Sequence, residues 1–237
     1  MKPVQPLRIG ILEAGSPPER IAARFPGYAD MVAALLGPGF AARAYDIRNG
    51  ELPKSALDRD AWVITGSSAG VYDSHPWIAA LEGFMRSTAG QRPMVGICFG
   101  HQLMAQAFGG TAAKSPGGWG VGRHRYVVAQ PAEWIDDARD VRLAVSHQDQ
   151  VLTLADGAKV VGGNEFTPYG ILAYPARRAM SIQAHPEFDT DYITALIENR
   201  RGERFDTKTA DAAIASLAGD DDRERVGGWL RRFLREA

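Results

Sequence analysis

The sequence of 237 residues is short of cysteine, of net charge and of long apolar runs. Its single cysteine, Cys98, excludes an intramolecular disulfide, and without a Cys-x-x-Cys pair no thiolate zinc site is expected. Lys and Arg total 27 and Asp and Glu 28, so the formal charge is −1. A balance this even argues against nucleic-acid and anionic-membrane binding, both of which need a basic surface. The apolar stretches fall well short of the roughly 18 residues that a spanning helix requires. The opening Met1-Lys2-Pro3-Val4-Gln5-Pro6 has a charge but no apolar segment and no small-residue cleavage site. No secretory signal is therefore expected, and a cytoplasmic location is. At this length folding buries about 70% of the surface of the extended chain, enough for a core without staples.

What is present first is an alternation of strand and helix. Leu7 to Leu12, Phe40 to Ile47, Ala61 to Thr65 and Met94 to Ile97 read as strands, several of them apolar throughout, as strands covered on both faces are. Between and after them Tyr28 to Leu36, Trp77 to Met85 and Gln102 to Phe108 have helical spacing. Beyond residue 120 the pattern changes to short strands, at Arg125 to Ala129, Arg142 to Ser146, Val151 to Thr153, Lys159 to Val161 and Tyr169 to Tyr174. Met180 to Gln183 follows as a strand, then helices at Tyr192 to Asn199 and Val226 to Leu234. The glycine pairs at 109, 117 and 162 read as turns, and the charged run Asp220 to Arg225 as a solvated helix start. The expected fold is α/β, an open, mostly parallel sheet flanked by helices with a smaller antiparallel portion. A single domain over 1–237 is expected, with a helical extension from about residue 203.

The lone cysteine sits in Gly96-Ile97-Cys98-Phe99-Gly100-His101-Gln102, where an apolar strand runs into Cys98 and a helix follows. Glycines two residues to either side give the pattern of a nucleophile elbow, in which strand and helix approach too closely for a side chain. Such a turn sets sulfur at the carboxyl edge of the sheet and near a helix N-terminus, which favours thiolate. A buried core cysteine is the bland alternative.

A cysteine nucleophile needs a base, and the base an orienting group. Of the five histidines, His101 is expected to pack away from the elbow, and His75 and His124 look structural. His185 follows the apolar strand Ala179 to Ala184 and opens His185-Pro186-Glu187. A strand end puts it on the same edge as Cys98, and Glu187 can reach back to hold the imidazole tautomer. For the oxyanion, the backbone N–H of Phe99 is one donor, and the small loop Thr65-Gly66-Ser67-Ser68-Ala69-Gly70 lets backbone approach a substrate closely. No metal-ligand spacing and no phosphate loop is found, so no metal or cofactor is expected. Tyr72, Trp77 and Trp119 are candidates for a pocket rim or for ordinary packing.

The elbow heptapeptide, the His-Pro-Glu 87 residues beyond Cys98 and the glycine loop at Gly66 together resemble class I, triad-type glutamine amidotransferases, over roughly residues 7 to 200. The resemblance implies that Cys98 attacks the side-chain amide of glutamine to give a γ-glutamyl thioester and ammonia. It implies that His185 is base and then acid, that Glu187 orients it, and that the Gly66 and Phe99 amides hold the oxyanion. Gln102 matches a position that contacts the α-groups of glutamine. Ser146, His147 and Gln148, with Asp149, resemble the loop that completes this pocket in members of the GMP-synthetase type. Where many members have Gly-Gly-Pro at the oxyanion loop, this chain has Thr65-Gly66-Ser67-Ser68.

The chain ends at Ala237 with no synthase domain after the glutaminase-like part, so an ammonia acceptor is expected on a separate synthase subunit, if there is one. Free-standing relatives, including γ-glutamyl peptidases, offer a second reading, a hydrolase that turns over a γ-glutamyl small molecule unaided. A non-catalytic binding protein on the same fold is the third.

Overall fold

The computed structural model describes residues 5–130 and 132–237; the N-terminal reading rests largely on residues 1–4, which lie outside them. In chain order the first half comprises β1 (Leu7–Glu13), α1 (Glu19–Ala22), α2 (Tyr28–Leu36), β2 (Phe40–Asp46), β3 (Ala61–Ile64), α3 (Pro76–Thr88), β4 (Met94–Ile97) and α4 (Phe99–Ala107). There follow β5 (Thr111–Lys114), β6 (Gly120–Val128), β7 (Val141–His147), β8 (Asp149–Thr153), β9 (Lys159–Gly163), β10 (Ile171–Tyr174), β11 (Ala179–Ile182), α5 (Thr190–Arg200), α6 (Thr207–Ser216) and α7 (Arg223–Glu236).

Among the described residues nine strands form one sheet in the order β2-β1-β3-β4-β11-β10-β9-β6-β7, and β5 pairs with β8. The first five pair in parallel and the rest antiparallel, so the sheet is the mostly parallel one with an antiparallel arm that the sequence leads one to expect. Strand alternation divides the core in two. Ile9, Ile11, Val63, Val95 and Ile97 face α2 and α7, where Val32, Leu35, Trp229 and Phe233 meet them. Leu12, Trp62, Ile64 and Met94 face the other way, onto Ile78 and Leu81 of α3 and Leu103 and Met104 of α4. A third cluster, under α5 and α6, joins Tyr28 and Met31 to Phe188, Tyr192 and Leu196.

Two pairings position the site. β4 and β11 run side by side in parallel, with Ile97 opposite Ile182, so the residues that follow each strand emerge at one edge. The antiparallel arm then brings the end of β7 to the same place, because the His185 N–H donates to the Ala144 carbonyl at 2.9 Å.

Some boundaries differ from the sequence reading. The helix expected from Gln102 starts at Phe99, directly after Cys98, because the turn itself supplies the first helical residues. β6 begins at Gly120 rather than Arg125: the glycines at 120 and 122 suggest a turn, but tertiary pairing with His147 and Val145 holds them in a strand. Gly162-Gly163, expected as a turn, lies in β9 opposite Val128 and Val127. The charged run near 220 is partly engaged: Asp221 pairs with Arg123 at 2.9 Å and Asp222 accepts from the Arg142 N–H at 2.8 Å. Among the described residues no helix is long and apolar enough to cross a membrane.

Candidate active site

Cys98 stands between β4 and α4 with φ 50° and ψ −100°, a left-handed conformation that costs a non-glycine residue on the order of 1–3 kcal/mol. It is held there from both sides. Its N–H donates to the Ile182 carbonyl at 2.8 Å, and its own carbonyl accepts from the Gln102 N–H at 3.0 Å. The flanking glycines are required by contact: a Cβ on Gly96 would lie 2.5 Å from the Gly100 carbonyl oxygen, and one on Gly100 would lie 2.6 Å from that of Ile64.

His185 follows β11 and is almost wholly buried. Its Nδ1 donates to Glu187 Oε1 at 2.7 Å, and its ring lies flat on Phe188, the centroids 4.0 Å apart and the planes within 5°. With Nδ1 taken by Glu187, Nε2 is the ring nitrogen left for Cys98. Burial by itself disfavours the imidazolium. The charge of Cys98, then that of Glu187, and hydrogen bonding to each outweigh it and push the pKa from 6.5 up to about 10. The arrangement can therefore hold a thiolate–imidazolium pair. Gly66 closes it: a Cβ there would stand 2.8 Å from His185 Cε1 and 3.6 Å from Cys98 Cβ. Among the described residues neither the Gly66 nor the Phe99 amide N–H is taken by another acceptor.

Cys98 opens into a cavity of about 260 Å³ that Gln102, Ser146, His147, Gln148 and Asp149 also line. Ser67 to Gly70 form another wall. Gln102 is already engaged, its Nε2 donating to the Asp149 carbonyl at 2.8 Å and to Gln183 Oε1 at 3.1 Å. His147 donates from Nδ1 to the same carbonyl at 3.1 Å, and burial pushes its pKa down to about 3, so it is neutral. Ser146 Oγ accepts from Arg200 at 2.6 Å, and the Gln148 carbonyl from the Ser115 N–H at 3.0 Å. Tyr72 and Trp119 line the cavity, whereas Trp77 packs on Phe99 and stacks with His75. Burial raises the Asp149 carboxyl, against a hydrogen bond from Tyr72 and the charge of Lys114.

The family model for glutamine amidotransferase class-I matches residues 40–200, more than half of the chain. The chain belongs to the class-I glutamine amidotransferase family. A glutamine amidotransferase-like protein of Schizosaccharomyces pombe is 28% identical over 96% of this chain and 98% of its own. Gamma-glutamyl peptidase 4 of Arabidopsis thaliana is 28% identical over 73% of this chain and 72% of its own. In fold, the crystal structure of a glutamine amidotransferase from Thermotoga maritima superimposes with a TM-score of 0.72 at 17% identity, covering 98% of this chain and 99% of the other.

In this amidotransferase-family chain Gln183, Arg200 and Arg204 escaped the sequence reading of the site. Gln183 donates from Nε2 to Cys98 Sγ at 3.6 Å, and strand alternation gives the signal that was there to be used: Ser181, Gln183 and His185 share one side of β11 and its extension, polar among apolar residues. Arg200 and Arg204 reach the cavity from the end of α5, and no local pattern marks them out. His101 packs beneath the elbow, fully buried, with Nδ1 2.8 Å from Ser181 Oγ. Among the described residues no group of three or more His, Cys, Asp or Glu side chains could hold a metal ion.

Proposed function

We propose that this chain hydrolyses a γ-glutamyl amide through Cys98. The sulfur attacks the γ-carbonyl carbon of glutamine or of a γ-glutamyl compound, forming a C–S bond while the Gly66 and Phe99 amides take the oxyanion. The C–N bond then breaks, and the His185 imidazolium gives its proton to the departing nitrogen, which leaves as ammonia or as an amine. Water attacks the thioester carbon, His185 takes its proton, and the C–S bond breaks to release glutamate and the thiolate. Glu187 fixes the ring and stabilises its charged form. Gln102, Ser146, His147 and Gln148 are the proposed walls of the γ-glutamyl pocket.

The observation that carries this reading is Cys98 itself, in a left-handed conformation at a strand end and beside an imidazole whose charged form Cys98 and then Glu187 favour. The reading needs no metal or cofactor. With glutamine as substrate, a synthase subunit is the proposed acceptor of the ammonia, in line with the similarity to part of the GMP synthases. Similarity to γ-glutamyl peptidases along most of the chain favours a second version, in which a γ-glutamyl small molecule is hydrolysed without a partner.

Hydrolysis of L-glutamine and of γ-glutamylglycine by wild type and Cys98→Ala tests both versions, with acid-quenched mass spectrometry to look for the acyl-enzyme. Release of glutamate and a γ-glutamyl adduct confined to Cys98 are expected. If wild type hydrolyses neither substrate and forms no adduct, the reading fails.

A further inference from the structure

The wall of the cavity at the end of α5 carries a positive charge that no carboxylate among the described residues neutralises. Arg200 is half-buried beside the site, with Nη1 on Ser146 Oγ at 2.6 Å and its guanidinium 5.7 Å from the centroid of the Trp119 ring. Both partners are neutral. Arg204, one turn on, faces the same cavity. Among the described residues neither arginine has a carboxylate within 4.0 Å, the distance at which other arginines of this molecule find one. Arg201, between them in sequence, is paired with both Glu198 and Asp211. The contrast is local: around the end of α5, Arg201 is paired with two carboxylates, whereas Arg200 and the more exposed Arg204, which line the cavity, are paired with none among the described residues.

A cation withdrawn from water is costly unless an anion meets it. Burial pulls the Arg200 guanidinium below its ordinary pKa, and the charge of Arg204 adds to that pull. The planar fork of a guanidinium matches a carboxylate with two parallel hydrogen bonds, which a lysine cannot reproduce. Arg200 shares the cavity with Cys98, so an anion bound to it belongs to a molecule that also reaches the sulfur.

We propose that Arg200, supported by Arg204, is the carboxylate anchor of this cavity, so that the substrate is a γ-glutamyl compound held by one of its carboxylates. This rests on the reading of the cavity as a γ-glutamyl site. Two carboxylates could fill the anchor: the α-carboxylate of the γ-glutamyl group, or one on the leaving amine of a γ-glutamyl amino acid or peptide.

The test measures binding by calorimetry in full-length Cys98→Ala, where no turnover interferes. The ligands are γ-glutamylglycine, the same dipeptide amidated at the glycine end, and the same dipeptide amidated at the α-carboxylate. Arg200→Gln is expected to weaken binding of γ-glutamylglycine about tenfold or more, the loss of a charge-assisted pair. The effect disappears with the ligand that lacks the anchored carboxylate, and which ligand that is names the source. Arg200→Lys keeps the charge without the fork and is expected to fall in between. Arg204→Gln, at an exposed position, is expected to weaken binding several-fold with the same ligand dependence, and it carries the test if Arg200→Gln does not fold.

Equal weakening of all three ligands would mean that Arg200 only shapes Ser146 and Trp119, and the proposal is overturned. It is also overturned if γ-glutamylglycine binds these arginine variants as it binds their Cys98→Ala parent. Binding of γ-glutamylglycine with no turnover by the wild-type enzyme separates the outcomes: the carboxylate anchor then stands while the hydrolase reading falls. If γ-glutamylglycine does not bind the Cys98→Ala parent at all, the anchor proposal is overturned, and L-glutamine hydrolysis by the wild type decides whether the hydrolase reading stands.

Discussion

The side-chain amide of Gln183 bridges the nucleophile to the pocket wall. Its Nε2 donates to Cys98 Sγ at 3.6 Å, and its Oε1 accepts from Gln102, which in turn donates to the Asp149 carbonyl. The amide cannot rotate without breaking one of these contacts, so its N–H is kept on the sulfur. Gln183→Leu keeps the volume and loses the donor. A hydrogen bond to a charged group contributes about 1.5–3 kcal/mol, so kcat for γ-glutamyl hydrolysis is expected to fall at least tenfold. KM should change little, and iodoacetamide should alkylate Cys98 more slowly at fixed pH. An unchanged kcat would show that the sulfur does not use this donor.

His185 gives a pH dependence with a definite sign. Its folded pKa stands at about 10 against an ordinary 6.5, so the stability it contributes is complete below pH 6.5 and is lost as pH rises through about 10. Glu187→Gln removes one of the groups that raise it. The NMR-detected titration of His185 should move down by about a unit or more, each unit being about 1.4 kcal/mol. The variant should lose more stability near pH 6.5 than near pH 10, and the alkaline limb of its activity profile should shift down. Cys98→Ala, which removes the other support, should lower the same titration. A His185 pKa that ignores both changes refutes the charge coupling.

Gly66 offers a steric test of the gap between base and nucleophile. Alanine there keeps the backbone N–H but places a methyl 2.8 Å from His185 Cε1. Misplacement of a catalytic group by about 1 Å can cost about a hundredfold in rate. Gly66→Ala should therefore lose about that much kcat while the melting temperature moves by only a few degrees. Full activity in this variant would place the productive position of His185 elsewhere.

Trp229 tests whether α7 belongs to the core. Its side chain is wholly buried in the core cluster beneath α7, its ring 6.2 Å from that of Trp134, and its indole N–H donates to Asp136 at 2.7 Å. Trp229→Ala should cost about 3–5 kcal/mol in urea unfolding. A loss under about 1 kcal/mol would mark α7 as an appendage.

Much of the parallel half was legible in the sequence because strands buried on both faces are apolar throughout, and Ala61 to Ile64 and Met94 to Ile97 need no context to be recognised. The antiparallel arm was read less well. Gly120 and Gly122 have no strand propensity of their own, and only pairing with β7 makes them one. Likewise α6, with a weak apolar pattern in Thr207–Ser216, is specified by what it packs against.

For the site, local sequence determined the elements that a turn requires: Cys98 between two glycines that close contact enforces, and His185 with Glu187 two residues on, near enough to meet without help from the rest of the chain. Tertiary structure decided the remainder. The parallel pairing of β4 with β11 brings Cys98 to His185, since strands joined side by side end at one edge. Gln183 reaches the sulfur for the same reason, and Arg200 comes to the cavity only because α5 folds back over the end of β7. Contacts between residues far apart in sequence depend on how elements pack, and no local pattern encodes that packing.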